Sequence, residues 1–263
     1  MTEKQTVRYE VAAGVCTLTF NRPDRNNAWS ISMEQAYYAG LDRAAVDDDV
    51  RVIIVTGEGK SFCPGLDKAI LDEIRSGSTF ADNRRPATVA TTIPKPVIAA
   101  INGGCAGVGM VQATLCDLRF AAAGAKLSWA FSRRGLPAED GSSWTLARLV
   151  GHGRAMDLLL SGRVFTAEEA YEMGLVQRLF EPDELLARTM DYASDLARNV
   201  SPTAMAMVKH QLWSDWDTSL ENSRVRAQQL LPIAKRQPDF QEGVRSLVEK
   251  RPPEFAPYRT VYF

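Results

Sequence analysis

Residues 96–122 read Pro-Val-Ile-Ala-Ala-Ile-Asn-Gly-Gly-Cys-Ala-Gly-Val-Gly-Met-Val-Gln-Ala-Thr-Leu-Cys-Asp-Leu-Arg-Phe-Ala-Ala. Val97 to Ile101 is a short apolar run behind a proline, which predicts a buried strand. Four glycines follow, Gly103, Gly104, Gly107 and Gly109, and Met110 to Leu115 then continues with helical potential. A strand, a glycine-rich turn and a buried helix leave free N–H groups at the helix start. Those donors, with the helix dipole behind them, suit a negative oxygen. It is either a phosphate or an oxyanion that develops during a reaction. No Gly-Lys-Ser/Thr stands at the turn, and Gly104-Cys105-Ala106-Gly107 misses the dinucleotide spacing, so the phosphate reading is the weaker. A plain close contact of strand and helix explains the local pattern equally well.

A second stretch has the same plan. Arg51 to Thr56 is a β-branched run that predicts a strand. It ends in Gly57-Glu58-Gly59-Lys60, followed by Ser61-Phe62-Cys63-Pro64-Gly65-Leu66-Asp67.

Several motifs now stand in order. They are Asn21-Arg22-Pro23 with Asn27-Ala28, then Phe62-Cys63-x-Gly65-x-Asp67, then Ala99 to Gly103 running on through Gly107-x-Gly109. Further along come Gly135-Leu136, Trp144 with Arg148 to Gly151, Ala167 to Ala170 with Gly174-Leu175-Val176, Gln241-Glu242-Gly243 and Glu249-Lys250-Arg251. Together they resemble the crotonase superfamily, the enoyl-CoA hydratase/isomerase family, over nearly the whole chain. Each motif alone is weak, but six in order are specific.

The resemblance implies an α/β fold, a crotonase-like spiral of strand-strand-helix units with a C-terminal helical oligomerisation region. It implies an acyl-CoA substrate whose thioester oxygen is gripped by two backbone N–H groups that hold an enolate. Those donors fall on Leu66, after Gly65, and on Val108, between Gly107 and Gly109. Val108 stands where the family usually has glycine, and a β-branched residue resists positive φ. Either the backbone there is right-handed helical or the hole is altered. The two glutamates with which family hydratases hold water fall on Val111 and Phe131, both apolar. Glu139 falls where several family isomerases carry an acid, with Asp140 beside it. On local residues alone the pair reads as an exposed acidic turn before a helix near Ser142.

Coenzyme A needs cations. Arg25, Lys60, Lys68 and Lys250 are the candidates from the resemblance, with Lys250 reaching the nucleotide from the tail; each alone reads as a surface residue. Trp29, Leu71, Trp129, Phe131 and Trp144 are candidate pocket linings, against the ordinary reading of such aromatics as core. No cofactor beyond the coenzyme A of the substrate is expected. Family members form homotrimers, often paired into hexamers, through the C-terminal helices.

The sequence as a whole agrees. It has 263 residues, 45% of them hydrophobic and 24% charged, with net charge −1. That is ordinary for a soluble globular protein and predicts neither nucleic acid nor a membrane surface as partner. The four cysteines show no metal spacing and read as buried thiols. No signal peptide or membrane-length apolar run is visible, so a cytoplasmic protein is expected.

In chain order, residues 7–20 predict a hairpin turning at Ala13-Gly14. Residues 30–46 predict a helix capped by Ser30. Residues 72–92 predict a mobile loop or loosely held helix, where Arg84 and Arg85 read as solvated surface more readily than as phosphate contacts. Cys116–Ala122, Leu127–Phe131 and Leu175–Phe180 predict strands. Residues 142–160 predict two helices broken at Gly151, with His152 ending one. Thr166 and Glu169 predict a capping box. From Asp183 the pattern is helical, with His210 on a helix surface. The boundaries expected are 1–195 for a catalytic core and 196–263 for a trimerisation tail.

The chemistry expected is an enolate reaction with one carboxylate, most simply double-bond isomerisation. A hydratase using Glu139 is the runner-up, and a non-catalytic acyl-CoA-binding scaffold is the alternative from another class.

Overall fold

The computed structural model describes residues 5–77 and 84–258. An antiparallel hairpin, β1 (Val7–Ala12) and β2 (Val15–Phe20), opens the chain. Helix α1 (Ile31–Val46) follows, and the Ser30 hydroxyl accepts from the Met33 N–H as expected. Next come β3 (Val52–Gly57), β4 (Ser61–Cys63), α2 (Lys68–Arg75) and the short α3 (Val89–Thr92). The central stretch gives β5 (Val97–Ile101), β6 (Gly104–Ala106) and α4 (Val108–Leu115). Then come β7 (Leu118–Ala122), β8 (Lys126–Ser128), α5 (Ser142–Val150), α6 (His152–Ser161), β9 (Phe165–Thr166), α7 (Ala167–Glu172) and β10 (Arg178–Phe180). Four helices finish the described chain: α8 (Leu185–Asn199), α9 (Pro202–Asp215), α10 (Leu220–Lys235) and α11 (Pro238–Glu249).

Two sheets alternate along the chain. The larger has the order β1-β2-β3-β5-β7-β10, and the smaller has β4-β6-β8-β9. Beyond the hairpin every pair in the larger sheet is parallel. Each step places one strand in the large sheet, one in the small sheet, then a helix: β3-β4-α2, β5-β6-α4, β7-β8-α5. This is the expected spiral.

Both faces of the large sheet are covered, which is why its strands read as continuous apolar runs. Ile53 and Val55 face a core shared with α1 and α4, whereas Val52 and Ile54 face Leu185, Ala193 and Ala197 of α8. The run at 51–56 thus alternates between two interiors. Helix α8 crosses the expected boundary at 195–196 and packs on the sheet along its length.

Several expectations need correction. Gly104–Ala106 is a strand of the small sheet and not part of a turn. Phe131 leaves the strand expected at 127–131, because its N–H bonds Trp129 O at 2.8 Å and starts a turn. Leu175 and Val176 leave the strand expected at 175–180, because both N–H groups close α7 on Ala170 O. His152 begins α6 instead of ending a helix. The loop expected at 72–92 is α2 in its first part and α3 in its last, and 78–83 lie outside the described residues. Among the described residues no helix is long and apolar enough to cross a membrane.

Candidate functional site

The two glycine turns meet. Gly65 has φ +115° and Gly107 φ +51°, values that a side chain resists. A Cβ on Gly107 would lie only 3.8 Å from Gly65 Cα. A Cβ on Gly109 would lie 2.1 Å from Cys63 O, so only glycine lets α4 seat against β4.

The Val108 question is resolved by this geometry. The left-handed residue is Gly107, and Val108 is the first residue of a right-handed helix. Its N–H belongs to the first turn of α4, where no intrahelical acceptor exists. Leu66 forms a parallel bridge with Trp29: Trp29 N–H donates to Gly65 O at 2.7 Å and Asp67 N–H donates to Trp29 O at 2.9 Å. Because successive groups alternate, the Leu66 N–H points away from Trp29. Leu66 and Val108 thus each carry a backbone N–H on one of the two adjoining turns.

A polar frame fixes the first turn. Asn27 Nδ2 donates to Glu58 O and Ser61 O, and Asn102 bridges Gly57 N–H and Gly59 O. Arg22 Nη2 donates to Asp67 Oδ2 at 2.6 Å, while Asp67 Oδ1 caps α2 through the Ala69 N–H. Burial pushes the Asp67 carboxyl up, but the bonds from Arg22 and Ala69 outweigh it and hold it below the ordinary carboxylate value.

The acidic pair forms its own turn. Ser142 N–H donates to Glu139 O at 2.8 Å, with Asp140 at φ +49° and Gly141 at φ +75° between them. Two consecutive left-handed residues make a type I′ turn, and aspartate tolerates such a place. The turn feeds α5, which packs on α4. Glu139 is half-buried, and desolvation, then the Asp140 charge, raise its pKa against Arg84. Asp140 keeps much of its surface in solvent, yet protein crowds its carboxyl. That desolvation raises it, opposed by Arg84 and helped by Glu34.

Val111 and Phe131 are both buried. Gln112 Oε1, Ser142 Oγ and Trp129 Nε1 are buried without a hydrogen-bond partner among the described residues. Trp129 stacks on Phe165 at 5.8 Å, and Trp29 is wholly buried, while Leu71 is 51% exposed.

The expected cations are spread out. Lys60 and Lys68 are exposed on either side of the Gly65 turn, and Arg25 is exposed within electrostatic reach of Asp67. Lys250 caps α11 in a left-handed conformation, exposed, in the tail. Trp144 does not face the turns. Its indole N–H reaches Asp217 at 3.2 Å and its ring meets Trp216 at 4.8 Å, so within this chain it joins the tail. That cluster borders an apolar cavity of about 520 Å³ between α9 and the large sheet, which none of the turn residues line.

Arg85 keeps the solvated surface expected of it, whereas Arg84 turns its head group onto a buried partner. Arg84 Nε donates to Glu34 Oε1 at 2.9 Å, and its Nη2 to Oε2; Arg85 forks onto Asp42. Glu34, buried, also accepts from Trp29 Nε1 at 2.9 Å. Sequence reasoning missed Glu34, because its partner lies fifty positions away and nothing local marks it.

Comparisons with known proteins agree with the fold. The family model described as enoyl-CoA hydratase/isomerase matches residues 10–257. The 1,2-epoxyphenylacetyl-CoA isomerase of Escherichia coli K12 is 34% identical over 93% of this chain and 96% of its own length. A probable enoyl-CoA hydratase/isomerase from Mycobacterium abscessus superposes with TM-score 0.88 at 31% identity, covering 96% of this chain and 99% of that one. An enoyl-CoA hydratase from Mycobacterium marinum is 47% identical, with TM-score 0.70 over 80% of this chain and 98% of that one.

Proposed function

The chain belongs to the enoyl-CoA hydratase/isomerase family, and from that premise we propose that it is an acyl-CoA isomerase that moves a double bond with one carboxylate. That it is an enzyme of this family acting on an acyl-CoA follows from the membership; the isomerisation is our reading. The observation that carries it is the exchange of acids. By the resemblance, the two positions where the family's hydratases hold water fall on the buried, apolar Val111 and Phe131, and a third acidic position falls on Glu139, whose pKa desolvation raises.

The thioester oxygen takes the N–H groups of Leu66 and Val108. The Glu139 carboxylate removes a proton from the α carbon of a 3-enoyl-CoA. The C–H electron pair enters the conjugated system, and the negative charge rests on the thioester oxygen between the two donors. The carboxylic acid then returns the proton to the γ carbon, which leaves a 2-enoyl-CoA. Nothing is gained or lost overall. A carboxyl raised toward neutral pH is suited to both halves. Asp140 is the second acid of the site. Gly65 and Gly107 let the thioester approach the backbone, and Phe131 lies beside the reacting carbons.

Arg25, Lys60, Lys68 and Lys250 serve the phosphates of coenzyme A, Lys250 from a neighbouring subunit of a trimer. Trp144, turned to the tail in one chain, reaches substrate only through such an assembly. No cofactor beyond coenzyme A enters.

The test is Glu139→Gln, which keeps shape and loses the base. It is expected to lower kcat on 3-hexenoyl-CoA by about 10² or more, with KM little changed. Exchange of the α proton with solvent deuterium disappears as well. Normal turnover by the variant, with rapid hydration of 2-hexenoyl-CoA by the parent protein, overturns the reading.

A further inference from the structure

The small sheet frames the site. Strands β4, β6 and β8 run parallel, and Leu66, Val108 and Trp129 each follow the carboxyl end of one of them. Ligands of open α/β sheets sit beyond such ends. Ser128 O, just before Trp129, accepts from the Gly107 N–H at 3.1 Å, so the chain leaves β8 against the second glycine turn. The Trp129 ring is held by its stack on Phe165, and its buried indole N–H has no acceptor among the described residues. Ser142 closes the acid turn with its N–H on Glu139 O, and its buried hydroxyl likewise has no partner among them.

Gln112 carries the third such atom. It lies on α4 four residues after Val108, about 5.4 Å further along the axis and on the same face. Its Nε2 donates to the Tyr38 hydroxyl oxygen at 3.2 Å, which fastens α4 to α1. Gln112 is 1% exposed, yet its Oε1 has no donor among the described residues. Thr114, the other polar side chain of α4, spends its hydroxyl on Met110 O and Val111 O. A leucine at 112 would pack without penalty, whereas a buried acceptor with no donor loses its whole hydration. Fastening the two helices is met by Nε2 and leaves Oε1 unexplained.

The three atoms differ in what they require. Gln112 Oε1 accepts, Trp129 Nε1 donates, and the Ser142 hydroxyl does either. An alkyl chain serves none of them. A carbonyl or a carboxylate has no hydrogen for Gln112. A hydroxyl gives one hydrogen bond and takes another.

We propose that the acyl group of the substrate carries a hydroxyl, and that Gln112, held by Tyr38, is the residue that selects it. This rests on the acyl-CoA reading above and narrows its substrate class. With the thioester oxygen on Leu66 and Val108, the acyl chain passes the next turn of α4, where the amide stands. Trp129 and Ser142 are the donors available to the oxygen of that hydroxyl.

The experiment compares hexanoyl-CoA with 6-hydroxyhexanoyl-CoA, and octanoyl-CoA with 8-hydroxyoctanoyl-CoA. None has a double bond to move, so calorimetry reads binding without turnover. The parent protein is expected to bind the hydroxylated member of at least one pair roughly tenfold more tightly, the size of one buried hydrogen bond. Gln112→Leu brings that ratio to within about twofold of one, by weakening the hydroxylated ligand. Tyr38→Phe lowers the ratio less, because the amide loses its tether but stays on α4. Between 3-hexenoyl-CoA and 6-hydroxy-3-hexenoyl-CoA the same preference appears in KM more than in kcat. A buried water on Gln112 satisfies the amide without choosing a ligand. In that case the parent ratio is near one for both pairs, and the proposal is overturned. It is overturned equally if Gln112→Leu keeps the parent ratio. Should Gln112→Leu not fold, the parent ratio and Tyr38→Phe decide: a ratio that Tyr38→Phe leaves unmoved removes Gln112 from the site. The reaction is tested apart from this. If Glu139→Gln is active while 6-hydroxyhexanoyl-CoA is preferred, isomerisation by Glu139 falls and the selection stands. If Glu139→Gln is inactive and the ratio is near one, the selection falls and the reaction stands.

Discussion

At the scale of the residue, the donor at position 108 depends on its neighbour. Gly107 takes the left-handed turn, so Val108 needs only to begin a helix. Val108→Ala is therefore expected to leave kcat within a few fold. Val108→Pro deletes the N–H, while proline is tolerated at the first helical position. Loss of one oxyanion donor costs a factor of ~10²–10³ in kcat. Steady-state kinetics on 3-hexenoyl-CoA separates the two, and a folded Val108→Pro protein at full activity removes Val108 from the site. The sequence alone carried both turns, because glycine at 65 and 107 marks places where the backbone takes a positive φ. It could not show whether Val108 had displaced the strain or removed it. That answer lies in φ, which glycine spacing does not reveal. Arg84 was equally opaque: beside Asn83 and Pro86 it reads as surface, and the carboxylate that claims it is on another element.

At the scale of the element, Arg22 and Asp67 lock the start of α2 to the turn after β2. The motif residues were visible in the sequence, but not as a pair. The folded Asp67 pKa lies below its ordinary value of about 3.9. Such a group adds stability that is present above the unfolded pKa and lost as pH falls through the folded one. Asp67→Asn is expected to cost about 1–3 kcal/mol at pH 7, the size of a hydrogen bond to a charged group. The gap between variant and parent then closes below about pH 4, as measured by urea unfolding. An equal gap at pH 7 and pH 3 would refute the ion-pair account. Elements with a chemical signature were legible: Ser30 caps α1, Thr166 and Glu169 form the capping box, and Gly151 divides α5 from α6. Strands β4 and β6 were not, since three residues are too few to show a period of two.

At the scale of the whole molecule, the tail leaves large apolar side chains in solvent. Val208 and Leu212 on α9, Leu231 on α10, and Phe240, Val244, Leu247 and Val248 on α11 are each more than two-fifths exposed. Scattered apolar residues need no partner, but helices that carry so many do. We expect these helices to be covered in a homotrimer or hexamer. Light scattering at micromolar concentration should give a mass at least three times the 29.0 kDa chain; a stable monomer would be evidence against it. The order of the two sheets has a further consequence. Neighbours in space follow the order of the chain, 1-2-3-5-7-10 in one sheet and 4-6-8-9 in the other. A chain leaving the ribosome can therefore add each strand to the edge just made. No finished pair has to open to admit a later strand, and synthesis and assembly can run in the same direction.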